Sequence, residues 1–174
     1  MKVLVVVDMQ KDFIDGALGT EEARQIVPKV IEKIRTFDGR VLATRDTHDT
    51  DYLDSEEGKH LPVVHCVRDT EGWQIDPRIA ALIQESPIDK PAFGSLGLGQ
   101  VLKAYHIHEE PIESITLIGL CTDICVISNA LLIKAYLPDV PVMVDASCCA
   151  GVTPKTHVQA LEAMKVCQIE IVNE

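Results

Sequence analysis

Positive charge is scarce in this chain: 16 Lys and Arg stand against 27 Asp and Glu, giving a net charge of −11 and a sequence pI near 4.9. That sign repels a phosphate backbone or an anionic membrane, so neither nucleic acid nor a membrane is expected as a partner, and the ligand is expected to be small. Long hydrophobic runs are missing too. The apolar opening Val3 to Val7 is far too short for a bilayer span, and Asp8 interrupts it before any cleavage-site pattern, so it reads as a strand. Repeats, low-complexity tracts and linkers are absent, which predicts one domain over residues 1–174. The six cysteines, two of them adjacent at Cys148 and Cys149, do not look like a disulfide framework; with no secretory signal they predict reduced thiols and a cytoplasmic location. Aromatics make up only 4% of the chain, which draws attention to Phe13 and Phe93.

What is present alternates. Val3–Val7, Val41–Thr44, Pro87–Lys90, Ile115–Ile118, Val140–Val144 and Ile169–Val172 read as strands. Glu21–Phe37, Pro77–Gln84, Gln100–His106, the segment running to Leu132 and Pro154–Val166 read as helices. Pro28 is tolerable only in a first turn, and Gly94–Gly99 reads as a turn. Strand–helix alternation of this type predicts an α/β fold with a parallel sheet. Six such strands can be doubly wound in the order 3-2-1-4-5-6 with helices on both faces, which opens a crevice at the carboxyl ends of the first and fourth strands. Asp8 and Cys125 would both line it.

Ser114 to Ala130 changes character in its middle: an apolar β-branched run breaks at Gly119, and Thr122 and Asp123 then offer caps to a helix whose first turn holds Cys125. A thiol there sits at the positive end of a helix dipole, which favours the thiolate, and the same N–H groups can hold an oxyanion. The plainer reading is a small buried hydrophobe. Asp8 reads either as a loop-fixing carboxylate or as a base. Lys90, at the end of a strand beside the same crevice, reads either as a solvated lysine or as a charge favouring Asp8 and Cys125. Asp46, His48 and His65, with Glu57 and His60 between them, read either as an acidic loop with incidental histidines or as ligands for a divalent metal. Phe13 and Phe93 flank these residues and either pack the core or hold a flat substrate. Trp73, His106, His108 and His157 converge on nothing.

Val-Val-Asp-Met-Gln-Lys-Asp-Phe at Val6 to Phe13, Thr-Arg-Asp-Thr-His at Thr44 to His48, Val-His-Cys-Val at Val64 to Val67, Lys90, and Gly-Leu-Cys-Thr-Asp-Ile-Cys-Val at Gly119 to Val126 together resemble the isochorismatase-like cysteine hydrolases. The resemblance spans nearly the whole chain in the family's order, with nicotinamidases the nearest branch. It implies a catalytic triad of Asp8, Lys90 and Cys125. It also implies a cis peptide at Leu120-Cys121 and an oxyanion hole from the N–H groups of Cys121 and Cys125. In the metal-dependent nicotinamidases it implies metal ligands at Asp46, His48 and His65, with Glu57 able to join them, holding zinc, iron or manganese. A small amide substrate such as nicotinamide, hydrolysed in NAD salvage, and a homo-oligomer are implied as well. Thr47 stands where many nicotinamidases have tryptophan, and the stretch after Lys90 is compressed to Pro91-Ala92-Phe93-Gly94-Ser95. Two alternatives therefore stay open: a metal-free relative acting on another amide, carbamoyl compound or enol ether, and a non-catalytic metal-binding or thiol-redox protein.

Overall fold

The computed structural model describes residues 1–174. Its sheet has six parallel strands: β1 (Lys2–Val7), β2 (Arg40–Asp46), β3 (Ile88–Lys90), β4 (Ser114–Leu120), β5 (Val142–Ala150) and β6 (Ile169–Val172), in the order β3-β2-β1-β4-β5-β6. The helices are α1 (Lys11–Ile14), α2 (Glu21–Thr36), α3 (Glu56–His60), α4 (Pro77–Ala80), α5 (Leu96–His108), α6 (Ile127–Tyr136) and α7 (Pro154–Val166). A 3-10 turn at Tyr52–Asp54 precedes α3, and a π-helical turn at Thr122–Val126 leads into α6. No helix is long and apolar enough to cross a membrane.

The central strand shows why so continuous an apolar run is needed. Val3, Val5 and Val7 point to one face, where Leu98, Leu102, Ala130, Ile133, Leu161 and Met164 from α5, α6 and α7 cover them. Leu4 and Val6 point to the other, under Ala23, Ile26, Val27, Val30 and Ile34 of α2. A strand covered on both faces has no polar side to alternate with. β5 runs to Ala150, well beyond the expected Val144, and places Cys148 and Cys149 on opposite faces in separate cores. All six cysteines are free.

Local expectation fails where packing outweighs it. Pro28 lies in the middle of α2, although an interior proline costs about 3 kcal/mol. It is exposed, so the Arg24 carbonyl it leaves without a helical donor faces solvent, while five apolar side chains on the opposite stripe are buried. The expected glycine turn is in part helix. Ser95 caps α5 by accepting from Leu98 N at 3.1 Å, and Gly99 lets α5 press against Tyr136, whose ring occupies the space a Cβ would need. The long polar segment after β2 contains α3, and the loop after β1 contains α1.

The order in which strands are added reverses between β1 and β4, whose parallel pairing ends at Val7↔Gly119. Gly119 has φ +116°, and a Cβ there would overlap the Val7 carbonyl oxygen. Gly119→Ala therefore meets both a disfavoured backbone region and a backbone clash. The expected loss is more than about 1 kcal/mol of stability, read from the urea midpoint against wild type.

Candidate functional site

The strand ends at the reversal deliver three groups to one point. Asp8, the residue after β1, is fully buried and held at φ +47°, a conformation that costs a non-glycine residue roughly 1 kcal/mol or more. Its Oδ1 accepts from the Thr44 hydroxyl at 2.7 Å. Its Oδ2 lies 2.8 Å from Lys90 Nζ but accepts no well-aligned hydrogen bond. Lys90 ends β3 with no exposed side-chain surface, and its Nζ also reaches Asp46 Oδ1 at 3.0 Å, the Ala92 carbonyl at 3.1 Å and Cys125 Sγ at 3.4 Å. Cys125 comes from the π-helical turn and is 4% exposed.

Burial disfavours every charge here, and the neighbours decide which charges persist. Burial alone would lower the Lys90 pKa, but the facing carboxylates of Asp8 and Asp46 reverse this and raise it, so the ammonium is retained. Burial raises Asp8 above the usual carboxylate range, with Lys90 opposing and Asp46 reinforcing. Burial also pushes the Cys125 thiol well above its ordinary value; the Asp8 carboxylate pushes it further up, and Lys90 opposes. These shifts favour a Cys125 thiol beside the Asp8 carboxyl, not the thiolate expected from a helix N-terminus. A desolvated sulfur facing Asp8 outweighs the dipole and Lys90. Thr122 and Asp123 do not cap the turn either: the Thr122 hydroxyl pairs with His157 Nδ1, and Asp123 accepts from Val152 N.

The Leu120–Cys121 peptide is cis. The Cys121 carbonyl accepts from Ile124 N and Val126 N at 3.1 and 3.0 Å, while the Cys121 N–H has no acceptor within the protein. Asn129 ties this turn to the segment after Lys90: its Nδ2 donates to the Cys125 and Phe93 carbonyls at 2.8 and 3.0 Å, and its Oδ1 accepts from Ser95 N at 2.9 Å.

Beside this triad, Asp46, His48, Glu57 and His65 each offer a ligand atom, all within 4.8 Å of one another. His48 Nε2 is buried without a hydrogen-bond partner, although Asp46 Oδ2 stands 2.9 Å away. His65 Nδ1 lies 2.8 Å from the Val63 carbonyl; a carbonyl only accepts, so Nδ1 carries the proton and Nε2 faces the cluster with a lone pair. Burial and the facing Asp46 charge both raise Glu57, a repulsion that a cation between the carboxylates would remove. An orphaned imidazole nitrogen, a second lone pair and two carboxylates fit a divalent transition metal. His60 is not in this group; it is exposed and its Nδ1 pairs with the Glu56 carbonyl.

Cys125 and the Asp46 cluster open on one cavity of about 740 Å³, whose lining includes Phe13, Phe93, Asp46, His65, Cys121 and Cys125, while Asp8 and Lys90 stand behind its wall. The Phe13 ring stands 5.5 Å from that of His65, and Phe93, at 42% exposure, lies at the mouth. Thr47 does not line the cavity; its hydroxyl accepts from Trp73 Nε1 at 2.8 Å. The tryptophan departure at this position therefore alters the packing behind the site. Sequence reasoning missed Gln10, Tyr52 and Asn129. Tyr52 packs 4.6 Å from His48 and 5.0 Å from His65. Gln10 is fully buried, donates to the Asp46 and Trp73 carbonyls at 2.8 and 2.9 Å, and accepts from Asp46 N at 2.7 Å. Its place inside the Val6 to Phe13 motif was the available signal.

The profile of the Isochorismatase domain matches residues 2–173. The nicotinamidase/pyrazinamidase of Mycobacterium tuberculosis is 27% identical over 99% of this chain and 98% of that protein. Among solved structures, the pyrazinamidase of Pyrococcus horikoshii in complex with zinc superposes with a TM-score of 0.80 at 29% identity, covering 99% of each chain. The nicotinamidase/pyrazinamidase of Bacillus subtilis does so with a TM-score of 0.79 at 26% identity, covering 99% of this chain and 100% of that one.

Gln10→Ala orphans the Asp46 amide and carbonyl in a buried setting. The expected cost is about 1–3 kcal/mol per stranded group, read by urea denaturation, with weaker divalent-metal retention on dialysis because the Asp46 backbone loses its anchor.

Proposed function

The chain belongs to the isochorismatase family, and from that premise we propose that it is a metal-assisted cysteine amidohydrolase that converts nicotinamide to nicotinate and ammonia. The observation that carries this reading is the meeting of a buried Asp8–Lys90–Cys125 constellation and a four-ligand cluster on the wall of one cavity. The likeness over the full chain to nicotinamidase/pyrazinamidase relatives, one of them a zinc complex, supports it.

In this reading Asp8 Oδ2, which accepts no other hydrogen bond, takes the proton from the Cys125 thiol as sulfur attacks the carboxamide carbon. The raised Asp8 pKa makes it a stronger base than an exposed carboxylate, with the Lys90 ammonium opposing burial and favouring its ionised form. The N–H groups of Cys121 and Cys125 hold the developing oxyanion. Asp8 returns the proton to the departing ammonia, leaving a thioester on Cys125. Asp8 then deprotonates the water that cleaves the thioester to the acid. Phe13 and Phe93 flank the flat ring.

Asp46, His48, His65 and Glu57 would hold a divalent transition metal, zinc by the fit of two imidazoles and two carboxylates, with iron or manganese as substitutes. When bound it supplies a Lewis-acid contact for the pyridine nitrogen and so orients the carboxamide toward Cys125. The strongly acidic surface, the free cysteines and the exposed apolar side chains Leu96, Ile107 and Leu131 support a cytoplasmic homo-oligomer without nucleic-acid or membrane partners.

Three measurements test this function. Cys125→Ala is expected to abolish ammonia release from nicotinamide with the unfolding transition retained, and Asp8→Asn to slow thioester formation by about 100-fold or more. Substantial turnover by Cys125→Ala would remove the nucleophile assignment, and normal acylation by Asp8→Asn would remove the proton path. Elemental analysis of the purified chain is expected to find about one transition metal per chain, lost with nicotinamide hydrolysis on chelation and in His48→Ala. A metal-free wild type that still hydrolyses an amide would reject the metal site and favour a different substrate. A metal-loaded chain that releases ammonia from no amide would make it a binding protein.

A further inference from the structure

A side-chain pair outside the reaction centre braces the turn that presents the Cys121 amide. Thr122 is fully buried, and its hydroxyl lies 2.8 Å from Nδ1 of His157 in the first turn of α7. That turn is itself held: Thr153 accepts from Thr156 N at 3.1 Å, and the Thr156 hydroxyl accepts in return from Thr153 N at 3.1 Å. Gly151 permits the close approach, because a Cβ there would come within 2.9 Å of His157 Cβ and 3.0 Å of its backbone. The neighbouring Asp123 carboxylate accepts from Val152 N with both oxygens at 3.1 Å. Thr122 and Asp123 are thus tied to the β5–α7 junction, while Cys121, immediately before them, keeps an unused N–H and lines the cavity. Burial holds half-buried His157 below its ordinary pKa against the raising effect of Asp123, which favours the neutral imidazole beside the Thr122 hydroxyl.

We propose that His157 is a positioning residue for the oxyanion site: by fixing the Thr122 hydroxyl it sets the direction of the Cys121 N–H toward the substrate carbonyl oxygen. The inference rests on Cys125 being the nucleophile and Cys121 N–H an oxyanion donor, and not on nicotinamide being the substrate. An oxyanion donor works only when aimed at the place where charge develops, so a small rotation of the Leu120–Cys121 peptide, which carries that N–H, weakens acylation. It leaves the Asp8–Cys125 proton transfer untouched.

Two probes separate these effects. With p-nitrophenyl acetate, sulfur forms a bond to the acyl carbon through a tetrahedral oxyanion, the thiol proton passes to Asp8, and p-nitrophenolate leaves. With iodoacetamide, sulfur displaces iodide at a methylene carbon, the proton again passes to Asp8, and no oxyanion forms. Both rates are read on the metal-loaded chain as the part lost in Cys125→Ala, since Cys167 is exposed.

In His157→Ala and Thr122→Val, acylation is expected to fall about 10-fold or more, short of the 100- to 1000-fold cost of deleting a donor outright. Alkylation should stay within about 2-fold, and the double variant should be no slower than the slower single one, because the two residues act as one unit. His157→Asn, whose side-chain amide falls near the Nδ1 position, should recover most of the acylation rate. Unchanged acylation in His157→Ala would overturn the proposal. So would acylation and alkylation falling together, which would mean that the pair merely holds the nucleophile's fold, or fully additive losses in the double variant. A wild type acylated at Cys125 but inert toward nicotinamide would strike the substrate reading alone, and one that neither probe modifies at Cys125 would overturn both.

Discussion

Lys90 carries a charge with no exposed surface, and the site is arranged around keeping it there. Removing an ammonium from water costs several kcal/mol, which only close, well-placed carboxylates offset. Asp8 at 2.8 Å and Asp46 at 3.0 Å do so. The same two contacts join the halves of the site, because Asp8 faces the Cys125 thiol and Asp46 Oδ2 belongs to the four-ligand cluster. One buried ammonium thereby links the Cys125 thiol to the Asp46 cluster, which come from different segments of the chain.

The supports around it are side chains that hold main-chain groups. Gln10 clamps both the amide and the carbonyl of Asp46, and Asn129 links the Cys125 turn to the Phe93 carbonyl and Ser95 amide. Asp12 accepts from Cys66 N at 2.7 Å and so anchors the residue after His65. These side chains touch no reacting atom; they hold the loops that bear the acting groups, whose geometry must be set before substrate arrives. The Cys125 thiol shows the same dependence on surroundings, since desolvation and the Asp8 charge together favour its protonated form.

The fold was legible because its signals are repetitive. A chain of apolar strands alternating with helical segments leaves few arrangements, and the β3-β2-β1-β4-β5-β6 order followed from the doubly wound pattern. Element ends were less legible. Pro28 within α2 and the glycines within α5 break local rules, and only the apolar stripe of α2 and the Tyr136 ring against Gly99 explain why they are tolerated.

For the candidate site, the sequence alone determined which groups were available: Asp8 after a strand, Lys90 at the end of another, Cys125 after the Gly119 break, and the Asp46, His48, Glu57 and His65 set in a polar segment. Their order along the chain and their chemistry are local properties. The tertiary structure alone decided their charge states and their supports. Whether a thiol ionises depends on how far it is desolvated and which charges face it, and these are set by residues 35 and more positions away. The distant contacts of Gln10, Asn129 and His157 could not be read locally, since a polar side chain shows such a partner only when the segments that bear both are brought together.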